Sequence, residues 1–395
     1  MKNPSREFQI FAKPVGSSCN LNCSYCYYLS KKNLYPETGH FLMTDDILEK
    51  YIIQHIEAST ENIISFSWHG GEPLLAGMDF YRKVVKLQSE HCPAGRTIIN
   101  GIQTNGTLLN EEWSRFLAAN NFGVGLSVDG TEVLHNICRR TNSDGPTWQK
   151  VIEGFGFLKK YGILPEILCV VNSENVKHPL PVYNFFKHMG ARNLTFLPLV
   201  EFVQRESVLV SADSVPAEAF GLFLSEIFDQ WVESDIGEIK IQIFEEAARS
   251  AFNQEHTLCI FKTNCGGVPV VEHNGDFYSC DHYVDREHFL GNLNEHSLAY
   301  FLDCNRQKEF GMYKSLTLPQ YCINCDIRIM CNGECPKNRF VVSPDGEQGL
   351  NYLCKGYKYF FNHCKPFVEV IAEVWKNQDS LLPHPPTPFS QEGRG

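Results

Sequence analysis

The sequence lacks the features that would place it in a membrane, outside the cell or on nucleic acid. It contains no apolar run long enough to span a bilayer, and its start, MKNPSREFQIFAKPV, has no apolar core of the kind found in signal peptides. It has no block of like charge, and a formal net charge of −11 disfavours nonspecific binding to nucleic acid. We therefore expect a cytoplasmic protein that binds neither membranes nor nucleic acid.

Cysteine is too dilute for a small disulfide scaffold, at 16 in 395 residues, yet the cysteines are clustered. In a reducing compartment such clusters indicate metal ligands. Three cysteines have the spacing C-x3-C-x2-C, at Cys19, Cys23 and Cys26, with no fourth nearby. Because zinc sites and 4Fe–4S clusters normally have four protein ligands, the missing ligand lies elsewhere or is not protein.

From residue 8 to about residue 245, short apolar runs alternate with longer stretches of helical period. The pattern predicts a helix capped by Thr44 and another that ends at Gly190. Such alternation implies parallel strands with right-handed helical crossovers, and therefore a whole or partial β/α barrel. The predicted strands are residues 8–15, 63–70, 96–104, 122–130, 165–172 and 193–200.

Loop motifs follow three successive predicted strands: HGGEP at 69–73, QTNGT at 103–107 and SVDG at 127–130. In β/α barrels the chemistry lies at the carboxyl ends of the strands. A Gly-Gly pair lets backbone approach a ligand, and Glu72 can accept hydrogen bonds from an ammonium group. Each motif alone is typical of a turn, but three beside the three-cysteine loop favour a shared ligand site.

A second group of cysteines begins near residue 250, and its number fits two four-thiolate sites. Spacing alone divides zinc and iron–sulfur evenly, but the open three-cysteine site earlier in the chain favours iron–sulfur. The eight are Cys259, Cys265, Cys280, Cys322, Cys325, Cys331, Cys335 and Cys354. Five others have no ligand spacing and are interpreted as small buried hydrophobes: Cys92, Cys138, Cys169, Cys304 and Cys364.

Together, CNLNCSYC, GGEP and the later cysteines resemble the radical S-adenosylmethionine (SAM) enzymes with a C-terminal SPASM domain. The seven-cysteine SPASM pattern is matched from Cys265 to Cys354, with Gly275 as its spacer, and Cys259 adds an eighth thiolate. Within that family the chain is most similar to the anaerobic sulfatase-maturating enzymes, from about residue 10 to 370. The blocks that carry this similarity are KPVGSSCNLNCSYCYYL, IQTNGTLL, VGLSVDG, YSCDHYV, CNGECPKNRF and GLNYLCKGY.

The resemblance implies an α/β fold: a partial (β/α)6 TIM-like barrel and a cysteine-rich SPASM domain. We expect the barrel over residues 1–245, the SPASM domain with two auxiliary clusters over 246–372, and a disordered tail over 373–395, which is rich in proline and polar residues. It also implies three 4Fe–4S clusters, an unfolded sulfatase as substrate, and a flavodoxin or ferredoxin as electron donor. A monomer is the default expectation.

By the same resemblance, Cys19, Cys23 and Cys26 bind a cluster whose open iron takes the amino and carboxylate groups of SAM. The implied contacts are Gly70, Gly71 and Glu72 for the amino group, Ser127 and Arg139 for the carboxylate and ribose, and Tyr28 and Asn105 in addition. His69, which precedes the two glycines, is given no role. One auxiliary cluster would use Cys259, Cys265, Cys280 and Cys335, and the other Cys322, Cys325, Cys331 and Cys354.

The family's reaction converts cysteine or serine in a C/S-x-P-x-R motif to Cα-formylglycine. A 5′-deoxyadenosyl radical removes a Cβ hydrogen, a base takes the thiol or hydroxyl proton, and a second electron leaves. Asp281 matches the base, and we expect enclosure to raise its pKa toward a useful range. Two auxiliary clusters without an open iron suit structural support or electron transfer.

Two other functions stay open at this point. SPASM relatives also form thioether or carbon–carbon crosslinks in peptides, although many carry an N-terminal peptide-binding domain and only about ten residues precede the first strand here. A non-catalytic electron carrier or zinc-stabilised binding module would need neither GGEP nor an open cluster.

Overall fold

The computed structural model describes residues 8–35, 41–204 and 207–379. The strands are β1 (Phe11–Lys13), β2 (Ile63–Trp68), β3 (Thr97–Thr104), β4 (Phe122–Ser127), β5 (Glu166–Val171), β6 (Asn193–Pro198), β7 (Phe202–Gln204), β8 (Ser207–Val210), β9 (Lys240–Ile241), β10 (Val270–Glu272), β11 (Asp276–Tyr278), β12 (Phe289–Asn292), β13 (Arg339–Val341) and β14 (Leu350–Asn351).

The α-helices are α1 (Asp45–Ala58), α2 (Met78–His91), α3 (Glu111–Ala119), α4 (Glu132–Cys138), α5 (Trp148–Lys160), α6 (Pro179–Met189), α7 (Ala217–Ser234), α8 (Gln242–Ala251), α9 (Leu298–Asp303), α10 (Asn305–Leu316), α11 (Gln320–Ile323), α12 (Arg328–Cys331) and α13 (Cys354–Asp379). Short 3-10 helices occupy Leu29–Leu34, Pro73–Ala76, Asn175–Lys177, Asp281–Tyr283 and Pro336–Asn338.

The two helix boundaries predicted from capping residues are confirmed. The Thr44 side chain accepts a hydrogen bond from the backbone N–H of Ile47 and starts α1. Gly190 ends α6 with φ of 90°, a left-handed conformation in which glycine has no steric cost.

Ten strands form one sheet in the order β12-β11-β10-β1-β2-β3-β4-β5-β6-β9. Strands β1 to β6 are parallel neighbours in chain order, which confirms the six predicted strands and the barrel-like part of the fold. The short β9 extends that run in parallel beside β6. Parallel order places the carboxyl ends of these strands, and the three loop motifs, at one edge of the sheet.

The cysteine-rich region adds strands to the same sheet and also forms a separate two-stranded sheet, β13–β14. Strand β10 pairs in parallel with β1, with Lys13 opposite Glu272, and the hairpin β11–β12 continues the sheet outward. Helix α8 crosses the expected domain boundary at residue 245. Strand β10 therefore lies between β1 and β11, so the cysteine-rich region and the barrel share one sheet.

Helix α13 docks the C-terminal region against α7 through two glycines. A Cβ atom on Gly356 would lie 2.0 Å from the carbonyl oxygen of Ala217, and one on Gly221 would lie 2.4 Å from that of Gly356. The two helix backbones therefore touch at a point where no other residue fits.

The expected tail begins later than residue 373, because α13 continues to Asp379. Val368 and Ala372, one helical turn apart, are both buried and keep this part of the helix on the protein. The remainder of the expected tail, 380–395, lies outside the described residues. No helix in the described part of the chain is long and apolar enough to cross a membrane.

Candidate active site and cluster-binding residues

The three cysteines of the C-x3-C-x2-C motif lie in the loop after β1, half-buried and unpaired by disulfides. The pKa of Cys19 is raised to about 12, mainly by burial. The charges of Glu72, Cys23 and Cys26 also raise this pKa, whereas a hydrogen bond from the Leu21 backbone lowers it. Burial likewise raises the pKa of Cys23 to about 11. The three thiols thus influence one another electrostatically, and iron binding there must displace their protons.

The donor chemistry of this loop fits a cluster with one open iron. Two N–H groups point at the Cys19 sulfur, from the Leu21 backbone at 3.4 Å and from Asn105 Nδ2 at 3.8 Å, and such hydrogen bonds are typical of cluster thiolates. In the stretches 8–35, 41–204 and 207–379, no three Cys, His, Asp or Glu side chains are arranged to enclose a metal ion. The fit therefore rests on three thiols and on the two N–H donors to Cys19.

The Gly-Gly pair packs against the backbone of the cysteine loop. The Gly71 N–H donates to the carbonyl oxygen of Gly16 at 2.9 Å, and the Glu72 N–H donates to that of Ser18 at 2.8 Å. Gly70 adopts φ of 143°, which favours glycine. The close approach expected for a ligand is thus observed between two loops of the protein.

The Glu72 carboxylate is fully buried and joins the loops after β2 and β3. Its Oε1 accepts from Leu74 N–H at 3.1 Å and from Thr104 Oγ1 at 2.8 Å, while its Oε2 accepts from Asn105 N–H at 2.7 Å. Burial raises its pKa from 4.5 to about 7, although these three donors lower it. A carboxylate accepts about four hydrogen bonds, so one position on Oε2 remains for a ligand.

Asn105 connects the end of β3 to the cysteine loop. Its Nδ2 donates to Asn20 Oδ1 at 2.9 Å as well as facing Cys19, and its Oδ1 accepts from Thr107 Oγ1 at 2.7 Å. The structure therefore places this predicted SAM contact beside the first cysteine of the C-x3-C-x2-C motif.

Sequence reasoning missed Asp129 and Tyr25, which hold Arg139. Arg139 is buried, and its Nε donates to Asp129 Oδ2 at 2.9 Å. The Tyr25 hydroxyl donates to the same Asp129 oxygen at 2.5 Å. The other Asp129 oxygen accepts from Val170 N–H at 3.0 Å. Nearby, Ser127 Oγ accepts from Gln103 Nε2 at 3.1 Å. Asp129 of SVDG and Arg139 were both visible in the sequence, but their pairing was not.

Asp281, the predicted base, comes from the cysteine-rich region and is buried against the barrel. Lys13 Nζ lies 2.5 Å from Asp281 Oδ1 in ionic contact, without a directed hydrogen bond to that oxygen, and Tyr27 donates its hydroxyl to Oδ2. Burial alone would raise the pKa of Asp281, but the charge of Lys13 is the largest opposing effect, and the pKa lies below its usual range. The expected direction of this pKa was therefore wrong, because a cation enters the enclosed site.

Lys13 and His69 are further side chains at this site without a predicted role. Lys13 Nζ lies 3.2 Å from His69 Nδ1 and 4.1 Å from the centre of the Tyr28 ring. The Tyr28 hydroxyl donates to Glu272 on β10 and is fully buried among these groups. The one available signal for Lys13 was a lysine at the end of an otherwise apolar strand.

The first set of later cysteines brings together residues from distant parts of the chain. Burial raises the pKa of Cys280 well above its ordinary value, and the thiols of Cys335 and Cys259 raise it further. Burial also raises the pKa of Cys335. The charges of Glu334, Cys265 and Cys259 raise this pKa as well, in that order of size. These four thiols therefore influence one another electrostatically, and their assignment to one cluster stays a prediction.

The second set contains the other four thiols. Burial raises the pKa of Cys331, with Cys354 the next contributor and Cys322 a further one. Burial raises the pKa of Cys354 to about 11, and Cys322 and Cys325 add to it. Between Cys331 of this set and Cys335 of the first set, Asn332, Gly333 and Glu334 all have positive φ.

The five cysteines expected to be buried hydrophobes differ in exposure. Cys138, Cys169 and Cys364 are buried, whereas Cys92 and Cys304 are half-buried.

Two family descriptions match the chain: "Radical SAM superfamily" over residues 14–185 and "Iron-sulfur cluster-binding domain" (SPASM) over residues 263–326. The chain is 41% identical to a serine-type anaerobic sulfatase-maturating enzyme of Bacteroides thetaiotaomicron, covering 95% of this chain and 94% of that one. It is 36% identical to the serine-type enzyme of Klebsiella aerogenes over 90% and 84% of the two chains. A cysteine-type enzyme of Clostridium perfringens is 32% identical over 90% and 96%.

Solved structures agree with these matches. The structure described as native anSMEcpe with bound AdoMet and Cp18Cys peptide has a TM-score of 0.83 and 30% identity, covering 93% of this chain and all of that one. The same protein with bound AdoMet alone has a TM-score of 0.84 and 31% identity. The chain therefore belongs to the anaerobic sulfatase-maturating enzymes, radical SAM proteins that carry a SPASM domain.

Proposed function

We propose that this enzyme converts a serine of an unfolded sulfatase, in an S-x-P-x-R sequence, to Cα-formylglycine. The preference for serine is supported by relatives: serine-type enzymes are 41% and 36% identical to the chain, and a cysteine-type enzyme is 32% identical. The observation that carries the proposal is the position of Asp281, a buried carboxylate of the SPASM region set against the loop of the C-x3-C-x2-C motif.

We assign one 4Fe–4S cluster to Cys19, Cys23 and Cys26 and two to the later sets of four cysteines. When bound, the first cluster and SAM supply the radical that removes a Cβ hydrogen atom. The two auxiliary sites have four thiolates each, which leaves no iron open to substrate, so we assign them to structural support or electron transfer.

The SAM contacts follow from the donors and acceptors that stay free. Arg139 has five N–H donors and uses its Nε on Asp129, which leaves the others for the SAM carboxylate. Ser127 accepts from Gln103, so its O–H is free to donate. Glu72 has one acceptor position for the amino group. Tyr28 gives its hydroxyl to Glu272, so only its ring or backbone is left for SAM.

Gly70, Gly71 and Asn105 act on SAM through the cysteine loop in this proposal. Gly71 donates its N–H to Gly16, and a Cβ atom on Gly70 would lie 3.1 Å from the same carbonyl oxygen, so both glycines bring the loop after β2 onto the backbone that leads to Cys19. Asn105 donates toward the Cys19 sulfur itself. Their first role is therefore to fix the cluster ligands, and the amino group of SAM would lie against them.

The base step uses Asp281. Oxidation of the serine side chain to an aldehyde removes two hydrogen atoms in total: one leaves Cβ as an atom, and the other leaves the hydroxyl oxygen as a proton while one electron passes to an acceptor. The ionised carboxylate of Asp281 takes the proton. The geometry supplies an acceptor that is already charged and held by two neighbours.

We predict that the enzyme is a cytoplasmic monomer and that it receives electrons from a flavodoxin or ferredoxin.

The test is anaerobic incubation of the reconstituted enzyme with SAM, a reductant and two peptides that differ only in serine or cysteine at the target position. We expect the serine peptide to lose two hydrogen atoms and the product to react with a hydrazide, which detects an aldehyde. Faster turnover of the cysteine peptide would contradict the serine assignment. The same mass change without hydrazide labelling would mean a crosslink and would reject formylglycine as the product.

Asp281→Asn is the matched variant for the base. It keeps the size of the side chain but cannot accept the proton as a carboxylate does. We expect it to cleave SAM to 5′-deoxyadenosine without making formylglycine. Formylglycine at the wild-type rate would show that Asp281 is not the base.

A further inference from the structure

Lys13 is a charged residue with no access to solvent. It ends β1 in the middle of the ten-stranded sheet and has 0% exposure. Burying an ammonium group is costly unless it is paired, so such a residue is retained where its partners need the charge. Its position is therefore informative about the site.

Three side chains from different elements surround the Lys13 ammonium. Asp281 Oδ1 lies 2.5 Å away, His69 Nδ1 lies 3.2 Å away, and the Tyr28 ring is 4.1 Å below it. The Lys13 ammonium group thus contacts both a carboxylate of the SPASM region and an imidazole of the barrel.

His69 is arranged to accept a hydrogen bond from Lys13. Its ring stacks on Phe11, with ring centres 4.8 Å apart and planes 11° apart, which fixes its orientation. Burial, followed by the charge of Lys13, lowers the pKa of His69 to about 3, so its ring is neutral and one nitrogen is an acceptor. An ammonium facing Nδ1 requires that nitrogen to be the acceptor.

The Asp281 carboxylate is consequently held at both oxygens by residues of the barrel. Lys13 contacts one oxygen and Tyr27 donates to the other. Rotation of the carboxylate about its side-chain bonds would break one of these contacts. The two contacts set the direction from which a substrate hydroxyl can approach.

We propose that Lys13 is a positioning residue for Asp281, and that His69 orients the Lys13 ammonium through Nδ1. The proposal rests on the proposed function, because it gives Lys13 a role only if Asp281 is the base. It gives a role to His69, the residue that precedes Gly70 and Gly71. Positioning errors of about 1 Å can cost about 100-fold in rate, which sets the expected size of the effect.

The first test replaces Lys13 by methionine, which keeps an unbranched side chain without the charge. We expect SAM cleavage to continue, KM for the peptide to change by less than about threefold, and kcat for formylglycine to fall about 100-fold. The amount of formylglycine per 5′-deoxyadenosine should fall in parallel. A crystal structure of the variant should show a rotated Asp281 carboxylate. Lys83→Met, at an exposed ion pair with Asp45, is the control that should behave as wild type.

A second pair of variants decides the matter if Lys13→Met does not take up its clusters. His69→Gln and His69→Leu both remove the ring, but only glutamine keeps an acceptor for Lys13. We expect normal product per 5′-deoxyadenosine with glutamine and a clear loss with leucine. Equal ratios in the two variants would overturn the role of His69.

Asp281→Asn is measured in the same series to separate the two ideas. If it still makes formylglycine, the base assignment fails and the Lys13 proposal fails with it. If it is inactive while Lys13→Met keeps the wild-type ratio, kcat and carboxylate orientation, only the Lys13 proposal is wrong.

Discussion

Gly71 and Ser18 are in direct backbone contact: a Cβ atom on Gly71 would lie 2.0 Å from the carbonyl oxygen of Ser18. The next residue, Glu72, donates its N–H to that same oxygen at 2.8 Å. Ser18 directly precedes the first cysteine of the motif. The glycine therefore determines where the cluster loop sits, before any ligand is considered.

Gly71→Ala should displace the cysteine loop and weaken cluster binding. A contact of 2.0 Å with a backbone atom cannot be relieved by rotating a side chain, so one of the two loops must move. We expect iron content to fall by about one cluster, roughly four irons, and SAM cleavage to be lost. Iron and sulfide analysis after anaerobic reconstitution measures this.

Gly156→Ala is the control for that substitution. Gly156 lies in α5, and a Cβ atom there would meet no atom within 4 Å. Alanine in a helix should increase the free energy of unfolding by about 0.5–1 kcal/mol and leave cluster content unchanged. Full cluster content in Gly71→Ala would contradict the role of the contact with Ser18.

Glu72 should make stability depend on pH near neutrality. Burial raises its pKa from 4.5 to about 7, so the folded protein binds this proton more tightly than the unfolded chain does. The resulting stabilisation is complete below about pH 4.5, is lost as pH rises through about 7, and amounts to roughly 3 kcal/mol. Glu72→Gln cannot ionise and should lack this dependence.

Infrared spectroscopy measures the proton on Glu72 directly. The difference spectrum between the wild type and Glu72→Gln should contain the band of a protonated carboxyl group at pH 6 and lose it by pH 8. A carboxylate band throughout that range would show that the three hydrogen-bond donors outweigh burial.

Asp129→Asn should destabilise the protein more than Tyr25→Phe. The asparagine leaves the buried Arg139 without a counter-charge, which costs about 3–5 kcal/mol. The phenylalanine removes one hydrogen bond to Asp129, worth about 1 kcal/mol. Thermal unfolding under anaerobic conditions compares the two, and SAM affinity should fall in the same order. Equal effects would mean that Asp129 does not act through Arg139.

Much of the barrel could be predicted from sequence because its signals are local. Along β2 to β5, buried residues alternate with exposed or half-buried ones in short β-branched runs, a local pattern of period two. Thr44 and Gly190 act on their own helix ends. The motif loops were placed correctly at one edge of the sheet by the same reasoning. These features depend on residues a few positions apart.

The parts that could not be predicted depend on distant pairs. Strand β1 pairs with β10, and Tyr27 reaches Asp281 from 254 residues away. The direction of the Asp281 pKa was predicted wrongly for this reason. The sequence indicated an enclosed carboxylate, but nothing in it indicated that Lys13 lies beside that carboxylate. No pattern in the spacing of residues signals that a lysine on β1 faces a carboxylate after β11.

The grouping of the later cysteines is the remaining prediction, and a double variant tests it. Spacing alone would put Cys331 and Cys335 in one site. In the structure, however, Cys335 contributes to the raised pKa of Cys280, and Cys354 contributes to that of Cys331. Three residues of positive φ separate Cys331 from Cys335. Cys331→Ala combined with Cys335→Ala should therefore disrupt both auxiliary clusters.

The readout is the number of irons lost, because a cluster holds four. The double variant should lose about eight irons, and each single variant about four. Cys138→Ala, at a buried cysteine outside both groups, is the control and should lose none. A loss of about four irons in the double variant would mean that Cys331 and Cys335 share one cluster.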